Sequence, residues 1–415
     1  MSSPSTRKYP SEVDVVIVGA GISGASSAWN LVRDSNLRVA VLDAGPRAGG
    51  STARSAAAFR HQFSSLSNIE MSLLSGREYR GFSKAFGCEE VFSQNGYLFL
   101  WSEQDAADAA STRVAFQRNH GVPDVAMLTA AQVREKFPWI DHPQLKGAAW
   151  CPYDGFLKPD LVASTYLDAA VTKGAMLLQY SPVTGVEVSG GVVKAVVVGG
   201  RHRIACATVV NAAGPWANSF GKLAGCPIPV TPVKRYLYFT NQIYGHGVSK
   251  WPMTVLDLEA YGRPEMNGLM MGWDARPKKP DGWDRFPVPD VDTTKLNDDI
   301  EAGFGIGEND YGFEVLVKMA EWIPLLGEKA GLDRATCGYY EVSPDEQAIL
   351  SPDPRVKGLI HATGFSGHGV MHAPATGRIV ADLILQRKAP IDLRALALEP
   401  LLRNVEREDP ERMVI

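Results

Sequence analysis

The 415-residue chain has no run of about 18 consecutive apolar residues, so no stretch reads as a membrane-spanning helix. Its first twelve residues are polar. That argues against a secretory signal, and 1–11 reads as a disordered lead. No strongly basic block stands out among 42 Lys and Arg against 46 Asp and Glu, a net charge of −4, and nothing points to nucleic acid. Cysteine is scarce. The five cysteines, at 88, 151, 206, 226 and 337, form no C-x-x-C pair. An odd, scattered set argues against a disulfide framework, fits a reducing, cytoplasmic setting, and gives no reason to expect a metal. The apolar share of 45% and charged share of 21% are those of an ordinary globular protein. The length suggests two domains or one elaborated one.

What the sequence does contain is concentrated at 13–43. Val15 to Val18 is an uncharged β-branched run, suited to a strand buried on both faces. Gly19-Ala20-Gly21-Ile22-Ser23-Gly24 follows at G-x-G-x-x-G spacing. The first glycine permits a tight turn, the second lets a pyrophosphate approach the backbone, and the third lets helix and strand pack closely. A helix over 25–32 places its N-terminus at the phosphate. A second apolar run, 39–42, ends in Asp43, with Ala44 behind it. That acid is placed to accept from a ribose hydroxyl and disfavours a 2′-phosphate. The bland alternative is a glycine-rich turn with no nucleotide, but the full strand–glycine–helix–strand–acid order is far more specific than the glycines alone.

Further along, 44–56 is a loop rich in glycine and small hydroxyls, with Ser51, Thr52, Arg54, Ser55 and Ala56. Helices are expected over 68–86, 104–119, 129–137 and 161–173, and a hairpin over 183–188 and 192–198 across Ser189-Gly190-Gly191. A buried strand, 208–211, runs into Ala212-Ala213-Gly214-Pro215-Trp216. The stretch 276–309 is rich in Pro, Asp and Gly and reads as an irregular insertion. Helices are also expected over 313–326 and 374–385, the second with Pro374 in its first turn. The charged stretch 391–415 is expected to wrap the surface. Nucleotide-type segments, 12–75, 155–225 and 330–395, thus alternate with meander-like segments, 76–154 and 226–329, leaving 396–415 as a tail.

This order of motifs resembles the D-amino-acid oxidase superfamily of FAD-dependent oxidoreductases, nearest its sarcosine oxidase, glycine oxidase and proline dehydrogenase β-subunit branch. The resemblance covers nearly the whole chain. It rests on the glycine motif with Asp43, on Gly50-Ser-Thr-Ala-Arg-Ser-Ala56, on Val209-Val-Asn-Ala-Ala-Gly-Pro-Trp216 and on Ala362-Thr-Gly364-Phe365-Ser366-Gly367-His368-Gly369-Val370. Pro344-Asp345 is a further mark. It implies a mixed α/β protein, a Rossmann-type FAD-binding domain interleaved with an antiparallel-sheet substrate domain, in the p-hydroxybenzoate-hydroxylase-like arrangement. Val183 would lie beside the adenine and Ala212 to Gly214 near the dinucleotide. The turn from Gly364 to Val370 would turn N–H groups and a helix end toward the flavin, favouring negative charge there.

The activity implied is oxidation of the C–N bond of an amino acid or N-alkyl amine, by hydride transfer to the flavin, giving an imine that water hydrolyses. Oxygen or another acceptor would take the electrons. Arg60 would hold a substrate carboxylate through its bidentate fork, the alternative being a structural ion pair. His61 would be a polar wall, weighed against a purely structural hydrogen bond. Tyr261 and Trp273, with Tyr339, would roof the pocket, though strand aromatics more often belong to a core. His368 would shape the turn and face the flavin, and Glu341 would be either a partner for an arginine or a pocket acid. Where sarcosine oxidases carry two lysines, this chain has Met371 and Met270. Arg54 and the register of Cys337 favour non-covalent FAD. Two rival readings stand beside this one: an assembly or interaction flavoprotein with little turnover, and an FAD oxidase of a larger metabolite.

Overall fold

A computed structural model describes residues 8–273, 286–287 and 303–413. Most of the expected insertion, 276–309, and most of the expected lead therefore lie outside the described residues. The organising strand Val15–Val18 is the centre of a six-stranded sheet. It pairs in parallel with Val39–Leu42 on one side and Thr208–Asn211 on the other. Leu359–Thr363 and Met176–Leu178 extend the parallel run, and Ile349–Pro352 closes one edge antiparallel. Val15 and Ile17 face one apolar core, Val16 and Val18 another. An uncharged run without alternation is what a doubly covered strand requires. The helix Ile22–Asp34 returns over this sheet and packs on the helices Gly369–Ile384 and Pro159–Thr172. The expected hairpin forms over Val183–Ser189 and Val192–Val198, with Gly190 and Gly191 both at positive φ, the conformation a two-residue turn demands.

The second layer is a nine-stranded, mostly antiparallel sheet. Toward one end of it the long strand Thr231–Thr240 is flanked by Leu332–Val342 and Gly268–Trp273. Alternation sorts its side chains. Leu237, Phe239, Tyr261 and Met270 face the core shared with the first sheet. Tyr236, Tyr238, Met271, Cys337 and Tyr339 face an outer core closed by the helix Tyr311–Trp322.

Three sequence expectations change. The helix expected over 313–326 is two helices, Tyr311–Trp322 and Pro324–Lys329, because residue 323 precedes a proline and leaves the α region. The helix expected to open at Pro374 starts five residues earlier, at Gly369, with Pro374 inside it. Proline has no N–H to give the Val370 carbonyl; the Tyr79 hydroxyl donates to that carbonyl instead, at 2.5 Å. The Ala375 N–H donates to Ser75 Oγ at 3.2 Å. The donor Tyr79 and the acceptor Ser75 both come from the helix Leu66–Phe86, which repairs the break.

The third change is the C-terminal stretch, which docks into the protein. Arg407 and Asp345 form a fully buried ion pair, Nε to Oδ2 2.6 Å. Burial alone would raise the Asp345 carboxyl, but the guanidinium outweighs it and holds the carboxyl below its ordinary value. Asp409 accepts from the Leu66 and Ser67 N–H groups, and Glu411 from Ser64, Ser65 and Asn68. The helix Leu66–Phe86 has no side-chain cap of its own, so its N-terminal donors are satisfied by carboxylates more than 340 residues away. At the other end, Tyr9 is anchored, its hydroxyl 3.1 Å from Ser181 Oγ.

Candidate functional site: a dinucleotide cleft and a tyrosine-lined cavity

A cleft of about 710 Å³ runs along the carboxyl ends of the parallel strands. That is within the range of cofactor sites, and in the crevice where open α/β sheets bind ligands. The glycines have the expected separate tasks. A Cβ on Gly19 would lie 2.2 Å from the Ala212 carbonyl oxygen, and one on Gly24 would lie 2.0 Å from the Gly19 oxygen. Gly21 lines the cleft at the helix start, and the Ile22 N–H donates to Thr52 Oγ1 at 3.0 Å. Thr52 thus braces the phosphate turn. Ala20 is buried, and its N–H donates to Asp43 Oδ2 at 2.7 Å. Asp43 lines the cleft and also accepts from Gly45. Burial raises its carboxyl, with those two N–H groups opposing.

Ser23, Ala44, Ser51, Arg54, Ser55 and Val183 all line the cleft, as do Ala212, Ala213, Gly214 and Trp216. Ser51 Oγ donates to the Tyr339 carbonyl at 2.6 Å. From the 364–370 turn, Phe365, Gly367, Gly369 and Val370 reach the cleft. Gly364 and Ser366 stand behind it: Gly364 at φ +72° and Ser366 fully buried, accepting from the Ser343 N–H. Ala56 lines a neighbouring cavity, and its carbonyl accepts from Arg263 Nε at 2.6 Å. Gly338, Tyr340 and Glu341 from one strand, and Arg235 from its neighbour, complete the far wall. Of these only Glu341 drew attention in the sequence. Thr363 Oγ1 donates to it at 3.0 Å, so it is a pocket acid and not an arginine's partner. These residues fit FAD: a backbone cradle where side chains are excluded, a ribose acceptor, and a groove of the right size. Cys337 is turned to the outer core, away from the cleft.

A second, tight cavity of about 30 Å³ adjoins the cleft at Gly367 and Val370. Its walls are Tyr97, Tyr261, Tyr340, His368, Met253 and Met371, floored by the backbone at 55–58. Missing side chains set these rings. A Cβ on Gly272 would meet the Tyr261 ring at 2.4 Å, and one on Gly367 would meet the Tyr340 ring at 2.5 Å. Tyr261, His368 and Met371 all line this cavity, and His368 is not on the wall of the dinucleotide cleft. Trp273 and Tyr339 do not roof the cavity. Both belong to the outer core, where Trp273 stacks on Tyr311 with centroids 5.8 Å apart, and Tyr339 also borders the dinucleotide cleft. Met270 is buried in the shared core and touches neither cavity.

Arg60 is fully buried and stands behind the cavity wall. Its Nη2 donates to the Met413 carbonyl and lies 3.2 Å from His368 Nε2. Its guanidinium carbon is 4.6 Å from the Phe63 ring centre. His61 is also away from the cavity. Its Nδ1 is 2.6 Å from Asp154 Oδ1, and its N–H and Gln62 Nε2 bond the same carboxylate. Cys151 joins this knot, its thiol pushed up by burial. Among the described residues lining the tight cavity, none is Asp, Glu, Lys or Arg.

Comparison with known proteins agrees with this geometry. The FAD-dependent oxidoreductase domain-containing protein 1 of Bos taurus is 30% identical over 91% of this chain and 82% of its own. Human mitochondrial sarcosine dehydrogenase is 26% identical over 94% of this chain, which spans 41% of that longer protein. The crystal structure of L-proline dehydrogenase from P. horikoshii superposes with a TM-score of 0.83, at 27% identity, covering 96% of this chain and all of that one. A family model described as "FAD dependent oxidoreductase" matches residues 14–383, and the chain belongs to that family of FAD-binding flavoproteins.

Proposed function

We propose that this protein oxidises the C–N bond of an amino acid or N-alkyl amine. The observation that carries the reading is the tyrosine- and methionine-lined cavity set against the 367–370 end of the FAD cleft. The cofactor, when bound, supplies the electron chemistry. The protein supplies a dry, enclosed seat. With no carboxylate lining the cavity to hold an ammonium ion, the amine is seated neutral, its lone pair available, and no strong base is required. Tyr97, Tyr261 and Tyr340 line the side on which the carbon skeleton would sit, in a cavity of about 30 Å³ that must widen to admit it, and His368 presents a neutral ring. Named relatives act on sarcosine and on proline, which supports the substrate class. The lining of the cleft and the position of Cys337 support non-covalent FAD. Met371, on the cavity wall, stands where the resemblance to sarcosine oxidases implies a lysine, which favours a substrate less dependent on its carboxylate.

The test is anaerobic mixing of the yellow protein with sarcosine, N-methylated amino acids, cyclic imino acids and D- and L-amino acids, watching the visible flavin band. Bleaching by one class identifies the substrate. Return of colour in air with peroxide marks an oxidase, and slow return marks a dehydrogenase. No bleaching by any of them overturns the proposal and leaves the interaction role or a non-amine substrate.

A further inference from the structure

Glu341 has no task in the reading above. Its carboxyl opens into the middle of the cleft, between the glycine cradle and the 364–370 turn. Its Oε2 lies 3.4 Å from where a Cβ on Gly214 would sit, and Gly214 follows the turn that touches Gly19. A cofactor spanning the cleft from Asp43 to Val370 crosses it. We propose that Glu341 is protonated in the holoenzyme and donates a hydrogen bond to the bound FAD. This rests on the cofactor assignment and not on the amine substrate.

Two observations support it. First, the carboxyl is enclosed by protein on every side but the cleft. Thr363 Oγ1 donates to it, as does the Phe365 N–H. Neither is a cation, and burial outweighs both, raising the carboxyl to about 7. Second, the groups facing it do not neutralise it. The strand Thr231–Thr240 brings Arg235, whose guanidinium lies over the Tyr340 ring at 5.2 Å. The 51–54 turn brings Arg54, whose Nη1 is bonded to the Gly49 and Gly50 carbonyls. Its own strand brings Tyr339 and Tyr340, and the 212–216 turn brings no titratable side chain. FAD carries a diphosphate. An ionised carboxylate added to that cleft would be a like charge at low dielectric, so binding raises the carboxyl further. A protonated carboxyl instead offers one donor.

The experiment uses holoenzyme and two readouts that need no substrate. Infrared difference spectra between wild type and Glu341→Gln near neutral pH are expected to show a carboxylic-acid C=O band, shifted in D₂O, present only in wild type. The temperature at which flavin is released is then followed from about pH 6 to about 9. Wild type is expected to lose flavin at lower temperature as pH rises through and above 7, while E341Q, which keeps a donor without the charge, stays flat. Glu341→Ala, which keeps neither donor nor charge, should release flavin earlier than E341Q and show no pH dependence across this range. A merely structural residue would lower the release temperature uniformly and show no acid band. Absence of the band from wild type, or an unchanged pH dependence in E341Q, overturns the proposal.

Discussion

Nη2 of Arg60 lies 3.2 Å from Nε2 of His368. A guanidinium has only donors, so Nε2 accepts and the ring proton of His368 sits on Nδ1. Burial, with the Arg60 charge added, holds this imidazole well below its ordinary value, so at neutral pH it is an uncharged wall. Glu411 is the counterion. Burial would raise its carboxyl, but Arg60 and the donors Ser64, Asn68 and Ser65 hold it down. Arg60→Met removes the guanidinium charge and leaves the Met413 carbonyl without its donor, and is expected to destabilise the fold by about 1–3 kcal/mol. Denaturant unfolding is the measurement, and an unchanged midpoint would show that Arg60 does not hold the C-terminal stretch in place.

His372 lies beside this group, fully buried, with its imidazole also held well below the ordinary value by burial. A group neutral when folded and protonated when unfolded makes stability rise with pH through its unfolded value. Stability should therefore fall as pH drops below about 6.5. His372→Leu should flatten that limb of a Tm-versus-pH curve. Below about 4 a second loss follows as Asp345, held down by Arg407, takes a proton. An unaltered slope in H372L would assign the first loss elsewhere.

The glycine cradle predicts opposite outcomes for two alanines. Gly24→Ala drives a methyl to 2.0 Å from the Gly19 carbonyl oxygen, so the βα turn must open and the protein is expected to be colourless or insoluble. In Gly81→Ala the new methyl meets nothing within 4 Å, on the exposed side of the helix Leu66–Phe86. That change should add about 0.5–1 kcal/mol. Flavin content and unfolding midpoints decide both.

Tyr97 faces the tight cavity with a hydroxyl whose ionisation burial disfavours, against the opposing Arg60 charge. Tyr97→Phe keeps the ring and should leave folding and flavin content intact. If the hydroxyl meets the substrate, kcat/KM falls up to about tenfold, the worth of one hydrogen bond. An equal kcat/KM would show that only the ring is used.

The sequence by itself determined the dinucleotide half. Gly19, Gly21, Gly24 and Asp43 act through backbone conformation and short-range spacing, which a strand–turn–helix unit carries within itself, and His368 and the 362–370 motif were legible for the same reason. Only the tertiary structure decided the cavity. Whether Tyr339 or Tyr340, Tyr261 or Trp273 lines the tight cavity depends on which face of a strand is turned inward, and a period of two gives no sign of that until the sheets pack. Arg60 reads as a ligand clamp in isolation. Only the fold shows it capped by the Met413 carbonyl and balanced by Glu411, because charges some 350 residues apart meet through packing and not through spacing.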